Sequence, residues 1–218
     1  TRSDRDWSSD VCSSDLEDSK REAIKRLNKA VQYAMTNRIS IKVPKLAQDS
    51  LRIIGFSDAS FANNRDFSSQ LGHLCFLGDA SGAVIPIHFK SYKSKRITRS
   101  VMAGEVIAFS DLFDVAATLS EELRAILGKQ IPVQLFTDSK SLFDVISKGS
   151  RTSEKRTMLD IAAAREGFRD KVISDIGFIR SRRNLADSLT KQMNQAMLRE
   201  VLSTGYLCVE PEQWIIRG

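Results

Sequence analysis

Residues 132–148 read PVQLFTDSKSLFDVISK, a short apolar stretch followed at once by a helical pattern. The apolar run Pro132–Thr137 predicts a buried strand, and the residues from Ser139 to about Lys148 predict a helix. Asp138 lies at the junction between the two. A strand that passes directly into a helix is typical of α/β domains with parallel strands, so this stretch predicts an α/β fold.

Apolar periodicity and turn-forming residues divide the rest of the chain into further elements. The other predicted strands are Leu51–Phe56, Gly72–Leu77, Ala83–Phe89 and Asp175–Ile179. The other predicted helices are Glu17–Asn37, Ser100–Leu127, Glu154–Arg169 and Asn184–Leu202. From residue 51 to residue 205 the order is β-β-β-α-β-α-α-β-α, which predicts a mixed five-stranded sheet flanked by helices.

The two ends of the chain differ from this central domain. Residues 1–16, TRSDRDWSSDVCSSDL, have almost no periodic apolar content, and we interpret them as disordered or non-native. Residues 17–50 are expected to form a connecting helix and an extended linker. The α/β domain is predicted over residues 51–205, and residues 206–218 are predicted to be a C-terminal tail.

Composition sets looser bounds on function. The chain has 218 residues, which suits one domain with appendages, and its net charge of +6 is a weak indication of a polyanionic partner. No apolar run is long enough to cross a bilayer, and no signal segment is evident, so no membrane association is expected. The scattered Cys12, Cys75 and Cys208 favour a reducing compartment. We therefore expect an intracellular protein, cytoplasmic or nuclear, that is not secreted.

Four acidic residues form the candidate site. Asp58 and Asp138 follow predicted strands, Asp187 lies near the start of a predicted helix, and Glu105 lies on the apolar face of another. Taken singly, Asp58 and Asp138 could be turn or capping residues, and Asp187 could complete a capping box with Asn184. Acids against an apolar core are unfavourable unless a cation compensates them. Together the four positions favour a site for a pair of divalent cations.

Four stretches of the chain resemble the ribonuclease H domain of copia-type retrotransposon polyproteins. They are SDASFANN (57–64), SYKSKRITRSVMAGE (91–105), FTDSKSLFDVI (136–146) and IRSRRNLADSLTK (179–191). The most specific part is NLADSLTK at 184–191, which matches the N-x-A-D-x-L-T-K pattern of that family at every fixed position. The resemblance covers about residues 51–205, and the preceding segment resembles the connector to an upstream reverse transcriptase.

The resemblance implies a ribonuclease H-like fold and hydrolysis of the RNA strand of an RNA–DNA hybrid. The implied cofactor is a pair of Mg²⁺ ions, which Mn²⁺ could replace, because hard cations take oxygen ligands. Asp58 would bridge both ions, Glu105 and Asp138 would complete the leaving-group site, and Asp187 would help to hold the ion that activates water. The implied partners are the hybrid and the reverse transcriptase polymerase of the same polyprotein, working in a cytoplasmic virus-like particle or the nucleus.

Cationic residues beside these acids are expected to bind the nucleic acid through its phosphates. The residues concerned are Lys93, Lys95, Arg96, Arg99, Arg180, Arg182 and Arg183. A charge run on a loop could instead be simply solvated. Ser139 is placed to reach a ribose 2′-hydroxyl, the group that distinguishes RNA from DNA, or else to start the following helix.

Two other functions of the same fold family are alternatives. A DDE-type integrase or transposase would need a third acid on a helix well after Asp138, and the corresponding region near Ser174 offers none. A degenerate tether that binds hybrid without cutting it would have lost a metal ligand, and none is missing. Many bacterial ribonucleases H carry a histidine before the last acid, but His73 and His88 both fall in predicted strands, where a structural role is expected.

Overall fold

The computed structural model describes residues 13–96, 98–149, 157–191 and 195–217. It divides into two compact units, residues 1–40 and 41–218. The first unit contains helix α1 (Ser13–Thr36), which begins earlier than the predicted Glu17. Residues 1–12 of the segment interpreted as disordered or non-native lie outside the described residues. The apolar residues Ile24, Leu27, Val31 and Met35 of α1 are exposed.

The second unit is built on a six-stranded sheet. Its strands are β1 (Arg52–Ser60), β2 (Gln70–Gly78), β3 (Val84–Lys93), β4 (Val133–Thr137), β5 (Asp175–Phe178) and β6 (Gln213–Trp214). They lie in the order β3-β2-β1-β4-β5-β6. The pairs β1–β2, β2–β3 and β5–β6 are antiparallel, whereas β1–β4 and β4–β5 are parallel. A hairpin meander therefore leads into parallel strands joined by helices.

Helices cover both faces of this sheet. They are α2 (Val101–Leu127), α3 (Lys140–Lys148), α4 (Met158–Arg169), α5 (Asp187–Thr190) and α6 (Ala196–Thr204). Successive residues of a strand face opposite sides, so Ile53 and Ile54 of β1 belong to different apolar clusters. The cluster of Ile53 includes residues of α2, α3 and α4, and the cluster of Ile54 includes Val201 of α6.

This is the ribonuclease H-like fold that the resemblance implied, and it differs from the prediction in the number of strands and in the limits of two helices. The sheet has six strands instead of five, because part of the predicted tail pairs with β5 as β6. The single helix predicted over Asn184–Leu202 is two helices, α5 and α6, and residues 192–194 between them lie outside the described residues. The helix predicted from Glu154 begins at Met158, after a segment that is also outside them. Within the described ranges, no helix is both long and apolar enough to cross a membrane.

Candidate metal centre

Two parallel strands bring the first acids together. Asp58 lies in the last third of β1, and Asp138 directly follows β4. Because β1 and β4 are parallel neighbours, their carboxyl ends meet at one edge of the sheet. Asp187 opens α5 at the same edge, and one carboxylate oxygen from each of the three aspartates lies within 4.8 Å of the others. The turn-forming alternative for Asp58 does not hold, because this residue is paired with Gly72 inside the sheet.

Glu105 approaches this cluster from α2. The preceding Gly104 allows the helix to pack closely on β1, since a Cβ at that position would lie 3.2 Å from the Cβ of Ala59. The Glu105 side chain is buried and accepts a hydrogen bond from the Ala59 N–H. Its Oε2 atom is also buried and has no hydrogen-bond partner in the described part of the chain. The carboxylate of Glu105 thus points into the protein with one oxygen free for a ligand.

The electrostatics of the cluster reflect crowded negative charge. Burial, followed by the charges of Asp58 and Asp138, raises the pKa of Glu105 to about 9. Burial likewise raises the pKa of Asp58 to about 6, although hydrogen bonding by Thr190 and the charge of Lys191 oppose this rise. Carboxyl groups held this close repel each other when ionised. A bound cation would relieve that repulsion.

The end of the NLADSLTK motif contributes two residues that sequence reasoning missed. The Thr190 hydroxyl donates to Asp58 Oδ2, and the Lys191 Nζ atom lies 2.8 Å from Asp187 Oδ1 and 3.6 Å from Asp58 Oδ1. The four-residue spacing from Asp187 to Lys191 was a signal for this pair, because side chains at that separation on a helix are neighbours. Asp187 therefore forms an ion pair with Lys191. The N-cap residue of α5 is Ala186, whose side chain caps no backbone N–H.

Asn184 forms hydrogen bonds with three parts of the centre. Its Nδ2 atom donates to the carbonyl oxygen of Ser57 in β1 and to Asp138 Oδ1, both at 2.8 Å. Its Oδ1 atom accepts from the backbone N–H of Ala186 at 3.1 Å. A buried amide satisfied at both ends fixes the distance between strand and helix. Asn184 therefore orients Asp138 relative to Asp187.

Gly72 of β2 has no side chain, and this allows α5 to approach the acidic cluster. A Cβ on Gly72 would lie 2.8 Å from the Cβ of Leu189 and 3.0 Å from Cγ2 of Thr190. Contacts that short are not tolerated between side-chain atoms close to the backbone. Gly72 thus permits the close packing that places Thr190 and Asp187 beside Asp58.

The residues predicted to bind nucleic acid have varied surroundings. Ser139 is the N-cap of α3 and accepts a hydrogen bond from the Leu142 N–H, which is the capping alternative considered for it. Several of the predicted cations form exposed ion pairs. These pairs are Lys93–Asp66, Arg96–Asp160, Arg180–Glu212 and Arg183–Glu210. Lys95, Arg99 and Arg182 are exposed and have no ion pair within the described ranges.

Both histidines lie in the hairpin of β2 and β3. His73 in β2 and His88 in β3 approach each other with 3.2 Å between their Nε2 atoms. Burial, followed by the charge of His88, lowers the pKa of His73 to about 4. This pairing between strands agrees with the structural role expected for both residues, and the loop before Asp187 carries arginines in their place.

The donor set fits hard divalent cations. It consists of carboxylate oxygens, which Mg²⁺ prefers, and it includes no thiol or imidazole. The unpartnered Oε2 of Glu105 and the raised pKa of Asp58 are what a site built for a cation would show. The predicted acids Asp58, Asp138 and Asp187 would hold such ions together with Glu105.

Comparisons with known proteins found transposon polyproteins, the kind of protein that the sequence motifs resemble. No protein-family model matches the chain. The transposon Ty1-DR5 and Ty1-H Gag-Pol polyproteins of Saccharomyces cerevisiae are each 28% identical to it over 145 residues, which is 65% of this chain. The matched stretch is 8% of each polyprotein, so the chain spans a small part of the length of these relatives.

Solved structures of ribonucleases H are also similar to the chain. LC11-RNase H1, solved in complex with an RNA/DNA hybrid, is 16% identical with a TM-score of 0.49, over 67% of this chain and 99% of that one. RNase H1 of Halobacterium salinarum is 18% identical with a TM-score of 0.44, over 65% and 96% of the two chains. Because both scores are low, the fold assignment rests on the strand order and connectivity. The chain has a ribonuclease H-like fold, and its sequence resembles part of a copia-type retrotransposon polyprotein.

Proposed function

We propose that this chain is the ribonuclease H domain of a copia-type retrotransposon polyprotein and hydrolyses the RNA strand of RNA–DNA hybrids with Mg²⁺. The observation that carries the proposal is the convergence of Asp58, Asp138 and Asp187 at one edge of the sheet. The buried, unpartnered oxygen of Glu105 supports it, because such an oxygen is costly unless it receives a ligand.

Each residue of the centre has a task in this chemistry. The four acids would hold two divalent cations, which supply an activated water and stabilise the leaving oxygen when they are bound. Asn184 keeps Asp138 in place, and Thr190 orients Asp58. Ser139, next to Asp138, would contact a ribose 2′-hydroxyl of the RNA strand, although its side chain also caps α3.

The proposed partners are the hybrid and the polymerase of the same polyprotein, which would place the protein inside the cell. Exposed cations of the stretch before α2, among them Lys95 and Arg99, would supply phosphate contacts that do not depend on sequence.

The direct test is cleavage of an end-labelled RNA–DNA hybrid by the full chain, first with Mg²⁺ and then with EDTA. We expect cleavage of the RNA strand that requires Mg²⁺ and leaves 5′-phosphate and 3′-hydroxyl ends. Asp138→Asn should lower the rate about a hundredfold or more, because the amide keeps the shape but is a poor metal ligand.

Asp144→Asn is the matched control, since Asp144 makes only exposed ion pairs, with Lys140 and Lys148 on α3, among the described residues. It should cleave like the unchanged protein. A folded protein that cleaves nothing with Mg²⁺, or whose Asp138→Asn variant cleaves equally well, would exclude this function. Hybrid binding without cleavage would identify the degenerate tether instead.

A further inference from the structure

The loop of residues 61–69, between β1 and β2, holds an aromatic ring out into solvent. Phe67 is 82% exposed, and its φ angle of 58° lies in the left-handed region. A bulky side chain at positive φ is rare and unfavourable, and such strain often marks a functional position. Packing within the described part of the chain does not explain this conformation, because most of the ring is exposed.

Hydrogen bonds hold the loop in this conformation. The Phe67 N–H donates to the Asn64 carbonyl at 2.9 Å, and Asn64 Nδ2 donates to the Ser68 carbonyl at 3.0 Å. The Ser68 hydroxyl donates to Asp66 Oδ1 at 2.7 Å. The exposure of the ring is therefore set by a structured turn.

One cation lies in this loop and another contacts it. Arg65, two positions before it, is exposed, and Lys93 reaches Asp66 of the same loop at 3.0 Å. The loop is also joined to the basic stretch that precedes α2. The hydroxyls of Ser69 and Thr98 lie 2.6 Å apart, and the Ser94 N–H donates to the Ser69 carbonyl at 2.8 Å. An exposed ring among cations is the arrangement that binds single-stranded nucleic acid.

The same surface continues to the metal centre. Gln70, which follows the loop, donates to the Ser91 hydroxyl at 2.9 Å, and that hydroxyl donates to the Leu189 carbonyl in α5 at 2.5 Å. An open groove lies between the loop and α5. Its polar lining includes Asn63, Asn64, Gln70, Ser188, Thr190 and Lys191. A strand lying in this groove would pass the acids and then reach the loop of Phe67.

We propose that this loop binds an unpaired nucleotide flanking the hybrid, with its base stacked on Phe67 and its phosphates near Arg65 and Lys93. The inference rests on the proposed function, which supplies the hybrid. It is limited to unpaired nucleotides because the faces of bases inside a duplex are covered by their neighbours. Stacking tolerates any base, so the loop would prefer single-stranded flanks without reading their sequence.

The test compares the affinity for a blunt hybrid with the affinity for the same hybrid bearing an unpaired RNA tail or an unpaired DNA tail. Fluorescence anisotropy is measured on the full chain in the Asp138→Asn background, in which cleavage should be about a hundredfold slower. We expect at least one tail to tighten binding by about fivefold or more, the lower end of what one stacked base contributes.

Phe67→Gly should abolish this gain, and glycine suits a φ of 58°, so the loop and the melting temperature should be kept. Phe67→Tyr should preserve the gain. Phe89→Ala, which removes another exposed ring (74%) from β3, should leave it unchanged.

The inference is overturned if no tail improves binding, or if Phe67→Gly keeps the improvement. Cleavage of the blunt hybrid by the unchanged protein separates the two proposals. Cleavage without a tail effect leaves only the proposed function standing, and a tail effect that depends on Phe67, without cleavage, leaves only this binding site.

Discussion

Lys191 brings a positive charge of the protein itself into the acidic centre. Its ammonium lies 2.8 Å from Asp187 and 3.6 Å from Asp58, and the side chain is 44% exposed. In the absence of metal this charge compensates part of the repulsion among the carboxylates. A divalent cation held by the same acids would be repelled by it.

Lys191→Met keeps much of the length of the side chain and removes its charge. We expect the variant to bind Mn²⁺ and Mg²⁺ severalfold more tightly, as measured by calorimetric titration. It should unfold at a lower temperature in EDTA, because the carboxylates lose a counter-charge. The matched variant Lys45→Met, at an exposed lysine, should change neither quantity. Unchanged metal affinity in Lys191→Met would show that the ammonium does not oppose the metal.

At this scale three of the four predicted acids, Asp58, Asp138 and Asp187, lie together in the structure, and the sequence did not predict what surrounds them. The strand-end positions of Asp58 and Asp138 could be recognised because parallel strands place their ends at one edge. The contacts of Thr190 and Lys191 with Asp58 depend on how closely α5 approaches the sheet, which is a matter of tertiary packing. Arg183 forms an ion pair with Glu210, which lies 27 positions later in the segment that was expected to be a tail.

Among the elements, β6 shows how a short strand can complete a sheet. The Ile215 N–H, directly after β6, donates to the Ile176 carbonyl, and the Ile215 side chain is only 9% exposed. Trp214 packs against Phe136 with 5.5 Å between ring centroids. This strand covers an edge of the sheet that would otherwise present unpaired backbone groups.

Ile215→Ala should therefore lower the free energy of unfolding by about 2–3 kcal/mol, the lower part of the range for a buried isoleucine. Ile216 provides the control, because it is the same residue type one position later and is 87% exposed. Ile216→Ala should change the stability by no more than about 0.5 kcal/mol. Urea unfolding followed by circular dichroism measures both. Equal effects of the two substitutions would mean that the segment after residue 205 is a tail, as the sequence suggested.

Element order was predictable, whereas some element limits were not. The strand β4 and the helix α3 match their predicted ranges closely, because an apolar run and a helical pattern meet there without ambiguity. The strand β6 has two residues, too few to show any alternation of polar and apolar side chains. Its pairing with β5 becomes evident only when the sheet is assembled.

For the molecule as a whole, the buried acids make the stability of the metal-free protein depend on pH. Glu105 has a pKa of about 9 in the folded protein, against an ordinary value of 4.5. Between pH 6.5 and pH 9 the folded chain therefore holds a proton that the unfolded chain has lost, and stability falls as pH rises. Below pH 6.5 the lowered pKa of His73 acts in the opposite direction, because the unfolded chain then binds the extra proton.

Glu105→Gln isolates this effect, since the amide cannot ionise and can still accept the hydrogen bond from Ala59. Denaturant unfolding in EDTA should give a stability that declines between pH 6.5 and pH 9 for the unchanged protein and is flatter for the variant. Added Mg²⁺ should stabilise the unchanged protein more than the variant, which lacks one ligand. Identical pH profiles would show that Glu105 is ionised in the folded state.

For the proposed retrotransposon domain, Gly72 has a consequence for how its copies would be judged in a genome. Transposon copies accumulate substitutions, and the simplest inventory of working copies checks that the four acids are present. A copy with Gly72→Ala would pass that inventory, yet its new methyl group would lie 2.8 Å from Leu189 and displace the helix that carries Asp187. An intact metal centre therefore requires glycine at position 72 as well as the four acids.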